Sequence, residues 1–98
     1  MDTEMIKTEL KAKLQKGSFI FKERGNTIPK AQIVNIEAIT PTLLNHSPDE
    51  YDNCTFEGRG RITLEEVEQY KYFSGSAKVV DGKDGKLVIE ITKPIIIR

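Results

Sequence analysis

Ninety-eight residues leave room for one domain (1–98) with one modest core and little for a separate catalytic lobe. Fifteen basic residues cancel fifteen acidic ones, so no whole-protein field draws in polyanions, which argues against a dedicated duplex-DNA binder. A 38% apolar and 31% charged composition with no run of about 18 apolar residues argues against a membrane span. The start, Met1-Asp2-Thr3-Glu4, has neither the basic nor the apolar region of a signal peptide, so a cytoplasmic location is expected unless the chain is trimmed from a longer or exported protein. One cysteine and one histidine are too few for a Cys/His zinc site or an internal disulfide, and no metal or cofactor is expected.

Residues 3 to 16 place Ile6, Leu10 and Leu14 on one stripe at spacing four, with lysines and glutamates around the rest. This pattern predicts an amphipathic helix, capped at its start by Asp2 or Thr3 and followed by Gly17 where a C-terminal cap belongs. Residues 18 to 23 read as a first strand that ends at Gly25-Asn26. Residues 31 to 40 read as a second, with Ile33 and Ile39 on one side and Val34 and Ile36 on the other, so both faces look partly buried, and Pro41 limits its continuation. Glu37 shares the side of Ile33 and Ile39 and is the carboxylate with the best prospect of burial and a raised pKa. Residues 45 to 53 form the clearest polar loop, with His46, Pro48 and the acids Asp49, Glu50 and Asp52 at no established calcium spacing.

Residues 55 to 62 put Phe56, Gly58, Gly60 and Ile62 on one face and Glu57, Arg59 and Arg61 on the other, and two glycines in a strand mark a bend or the close approach of another backbone. Thr63 and Glu66 then stand at capping-box spacing, which predicts a short helix over 64–72. The competing reading, a hairpin, would have to turn through Glu65-Glu66-Val67-Glu68-Gln69, which contains no Gly, Asn, Asp or Pro. Residues 76–80 and 86–92 are the surest strands, joined by a segment with two Asp-Gly turn signals. After Pro94 comes Ile95-Ile96-Ile97, expected to extend the last strand with one face in the core and the other open to a second copy or a partner.

The expected class is therefore α+β, mainly β: an N-terminal helix with a small curved antiparallel sheet. The order of elements resembles the OB-fold, a five-stranded barrel with a short internal helix. The alternative is a helix packed on a four-stranded antiparallel sheet, similar to cystatin-like and NTF2-like domains. Neither resemblance carries a function by itself. With no paired nucleophile and base, no metal-ligand cluster and no complete phosphate loop, the expectation is a non-catalytic binding or assembly module working through protein contacts or self-association, with Ile95, Ile96 and Ile97 as interface candidates. The alternative is a single-stranded nucleic-acid binder, in which Lys22, Arg24, Arg59 and Arg61 track phosphates beside Phe56, Phe19 and Phe21 as stacking platforms. An enzyme would have to draw on Cys54, His46, Tyr70, Tyr72 or carboxylates such as Glu37 and Glu57.

Overall fold

The computed structural model describes residues 3–46, 51–82 and 84–98. It is an α+β fold, mainly β, in which one helix lies against an open, mixed sheet. The helix α1 (Thr3–Lys16) buries Ile6, Leu10 and Leu14, and the amide of Gly17 closes it on the carbonyl of Lys13 at 3.0 Å. Two short strands, β1 (Phe21–Glu23) and β2 (Asn26–Ile28), pair through a turn in which Arg24 and Gly25 both have positive φ. Three long strands follow as a meander: β3 (Gln32–His46), β4 (Asp52–Leu64) and β5 (Val67–Asp81). Then come β6 (Leu87–Ile91) and β7 (Ile95–Ile97). The sheet runs β2-β1-β7-β5-β4-β3, with β6 sharing the free edge of β5. The β4–β5 ladder pairs every residue from Asp52 to Leu64, and at roughly 3.3 Å per residue it accounts for the longest dimension, 39 Å.

The helix expected at 64–72 is not formed. Leu64 pairs with Val67, so Glu65 and Glu66 are the whole turn, at φ 51° and 69°. Two left-handed residues in succession give the type I′ geometry whose twist matches the flanking strands. Glutamate is a poor residue for that conformation, and the unbroken ladder on either side imposes it. Thr63 is accordingly a strand residue opposite Glu68, not a helix cap.

The second strand also departs from simple alternation. Ile33 lies opposite Ile62, Ile36 opposite Gly60 and Ile39 opposite Gly58, so three isoleucines at spacing three on β3 match positions at spacing two on β4. The register shifts between Ile33 and Asn35 and between Ile36 and Ala38 each insert one extra residue and flip the parity of the strand. Ile33, Ile36 and Ile39 consequently all face the core, whereas Val34 is left outside. Nor does Pro41 stop the strand: β3 is an edge, where a missing N–H costs no ladder bond, and Pro41 is buried opposite Phe56.

The glycines let the strands of the meander carry large side chains opposite them. Phe56 stands opposite Gly75 and Phe73 opposite Gly58, and a Cβ on either glycine would run into the partner ring. A Cβ on Gly60 would strike the carbonyl of Asn35 at the bulge. The two phenylalanines meet edge to face with centroids 6.3 Å apart. The helix packs against β3 and β6, and the Gln15 side-chain carbonyl accepts a hydrogen bond from the bulge amide of Ile36 at 2.9 Å. The isoleucine tail does not continue β6. It forms its own strand between β1 and β5, parallel to the first and antiparallel to the second, anchored by the Ile95 amide on the Ile20 carbonyl at 2.8 Å. Ile95 and Ile97 complete the core and Ile96 faces outward.

Candidate binding face on the open side of the sheet

With α1 and the core packed on one side, the sheet turns its other side to solvent, and strand alternation decides what appears there. On β4 the outward residues are Glu57, Arg59 and Arg61; on β5 they include Glu68, Tyr70 and Tyr72. Register sets Arg61 opposite Tyr70 and Arg59 opposite Tyr72. The two tyrosine rings meet edge to face with centroids 6.4 Å apart, and they are 49% and 56% exposed.

Both arginines carry a carboxylate partner: Arg59 Nε lies 3.4 Å from Glu37, and Arg61 Nη1 lies 3.5 Å from Glu68. All four side chains are solvent-exposed, so each pair is worth at most about 1 kcal/mol and chiefly balances the local charge. Glu37 is thus not a buried acid; the bulge beside it turns it outward. The pKa of Tyr70 is raised, first by desolvation and then by a hydrogen bond to Glu37.

The other residues expected to act divide between core and rim. Phe56 and Phe21 are fully buried and Phe19 packs partly against the same core, so none of the three offers a ring face to a base. The aromatics that are presented are Tyr70 and Tyr72, and the alternation of Tyr70, Tyr72 and Ser74 along a continuous strand was the signal for them, masked by the expected helix. Lys22 faces outward on β1 beside Ile96, separated from β4 by two intervening strands, and Arg24 sits in the β1–β2 turn at the far rim. The four cations therefore do not form one continuous track. Of the isoleucine tail, only Ile96 is available to a partner.

Cys54 is buried on the inner face, and burial pushes its thiol pKa up against a smaller opposing effect of the Thr42 main chain. It is held as a neutral thiol, which favours an inert structural role. The side chain of His46, the imidazole an enzyme would have to draw on, lies outside the described residues, and residues 47–50 of the acidic loop lie outside as well. Among the described residues no three His, Cys, Asp or Glu side chains cluster as metal ligands, and no helix is long and apolar enough to cross a membrane.

No family model, curated protein or solved structure matches the chain.

Proposed function

We propose that the protein is a non-catalytic binding and assembly module whose working surface is the open face of the sheet, and that a second copy of the chain is its first partner. One observation carries this reading: Tyr70 and Tyr72 stand half exposed on a rigid strand, flanked by Arg59 and Arg61, and tyrosine and arginine are the residues that concentrate binding energy at protein interfaces. The surrounding charge favours self-pairing. Two arginines and their partners Glu37 and Glu68 balance within the patch, so two copies brought together about a two-fold axis meet no net charge repulsion. Ile96 lies on the same face and extends its apolar area.

Sedimentation velocity over a wide concentration range tests the reading. The native chain should show a reversible monomer–dimer equilibrium, and Tyr70→Ala/Tyr72→Ala should remove it without changing the melting temperature. A chain that stays monomeric at the highest concentration would overturn it.

A second reading has a specific observation behind it. Arg61–Tyr70 and Arg59–Tyr72 are adjacent cation and aromatic pairs, the arrangement on which single-stranded nucleic acid stacks. Neutralisation of both arginines by glutamates lowers the expected phosphate attraction and ranks this second. Fluorescence anisotropy with mixed oligonucleotides at low salt decides it, because true binding must weaken steeply with added salt and in Arg59→Ala/Arg61→Ala. In architecture, a helix packed on a long antiparallel meander, with a tight turn where the internal helix was expected, supports the cystatin-like or NTF2-like alternative over a five-stranded barrel, and the likeness transfers no function.

A further inference from the structure

On the same side of the sheet, beyond the tyrosine patch, register assembles a second and chemically different surface. One row runs across five strands as Thr40, Glu57, Ser74, Ile96 and Lys22, each opposite the next. The row beside it runs Thr42, Thr55 and Ser76. The link from β6 to β7 adds Lys93, and Arg98 enters from the end of β7, its amide held on the Tyr72 carbonyl at 2.8 Å. Together they line a cleft of about 700 Å³, within the range of small-molecule sites.

Three features of this cleft point to one kind of ligand. Five hydroxyls converge on it, and none makes a hydrogen bond to another described group, so their donors and acceptors are left for solvent or a ligand. Among the side chains that line the cleft, Lys22, Lys93 and Arg98 stand with one acid, Glu57, and none of the three is ion-paired through its side chain among the described residues. In a chain of zero net charge, the side chains lining this cleft thus carry an excess of positive charge, unlike those of the Tyr70–Tyr72 patch, where each arginine has a carboxylate partner. Finally, the hydroxyls sit on strands of the sheet rather than on loops, which pre-organises them.

We propose that this cleft binds a phosphate monoester carried on a polyhydroxylated small molecule, with Lys22 and Lys93 holding the phosphate. The threonine and serine hydroxyls donate to its oxygens and to the ligand's hydroxyls, and Glu57 accepts from one of the latter. The side chain of Ile96 forms an apolar floor. Lys22 and the five hydroxyls lie in rows other than those of Tyr70 and Tyr72, so the ligand contacts can be separated from the tyrosine patch, with Ile96 and Arg98 bordering both surfaces.

The test is a ¹H–¹⁵N correlation titration of the full chain with glucose 6-phosphate, inorganic phosphate and glucose. Glucose 6-phosphate should move the resonances of residues 22, 40, 42, 55, 74, 76 and 96 with a Kd near or below about 1 mM, inorganic phosphate should move a subset more weakly, and glucose should move none. Lys22→Ala/Lys93→Ala should weaken glucose 6-phosphate at least about tenfold, and Glu57→Gln should weaken it while leaving inorganic phosphate unaffected. Phosphatidylcholine vesicles doped with phosphatidylinositol 4-phosphate separate two sources of the same chemistry: co-sedimentation abolished by the double lysine variant supports a lipid headgroup as the natural source, and a response to the free ester alone supports a soluble one. Tyr70→Ala/Tyr72→Ala must leave the titration intact even where it abolishes the dimer. Absence of any response to the ester and the vesicles, an equal response to glucose, or insensitivity to the lysine substitutions overturns the assignment.

Discussion

The two-residue turn at Glu65-Glu66 invites the most decisive perturbation, the replacement Glu65→Asn/Glu66→Gly. Both residues lie in the left-handed region, at φ 51° and 69°, where a residue with a Cβ pays about 1–2 kcal/mol. Asparagine tolerates that region and glycine occupies it without penalty, while the added glycine gives back about 0.5–1 kcal/mol through its larger unfolded-state entropy. The exchange also removes two carboxylates two and three positions from Glu68 in the sequence. The net expectation is a stabilisation of about 1–2 kcal/mol, and for a domain of this size each kcal/mol raises the melting temperature by about 4–8 °C. Urea titration and thermal melts followed by circular dichroism measure it, with an unchanged m-value showing that the compactness of neither state has altered. If the variant is instead destabilised, or if backbone chemical shifts over 64–72 are helical, the turn is not left-handed and the capped-helix reading of Thr63 and Glu66 is restored.

Three further outcomes follow from the packing. Gly60→Ala should cost about 2–3 kcal/mol because its methyl meets the Asn35 backbone at a bulge that cannot retreat, so a neutral effect in urea titration would mean that the bulge is misplaced. Ile95→Ala should cost about 2–5 kcal/mol and Ile96→Ala less than about 0.5, and equal losses would contradict the insertion of β7 between β1 and β5. Because Tyr70 keeps its proton to higher pH in the fold than in the unfolded chain, where the ordinary value is 10.0, its contribution to stability is present below that value and lost as pH rises through the folded one. Ultraviolet difference titration against Tyr70→Phe should show late ionisation, moved part of the way back by Glu37→Gln, and an ordinary or early ionisation would contradict the Glu37 contact.

The elements readable in the sequence are those whose physics is local. Residues 3 to 16 form a helix because apolar side chains at spacing four make a continuous stripe, and Gly17 ends it through a bond to a carbonyl four residues back. The strands flanking the Asp-Gly segment follow from alternation and turn chemistry within a few residues, and the strand character and one-sided burial of Ile95-Ile96-Ile97 follow from alternation alone. Even the role of Gly58 and Gly60 was legible, since a strand glycine implies a close neighbour, although the neighbours, Phe73 and the Asn35 carbonyl, are not. What tertiary structure decided is everything that depends on register. Glu65-Glu66 turn because two long strands are paired up to Leu64 and Val67, and that ladder outweighs a capping box worth about 1 kcal/mol. Ile33, Ile36 and Ile39 share a face because two bulges, which no local propensity encodes, flip the strand between them. The outward surfaces come from the same source: Tyr70 and Tyr72 reach Arg61 and Arg59, and Thr40, Ser74 and Lys22 come together, only when strands far apart in the chain are set side by side.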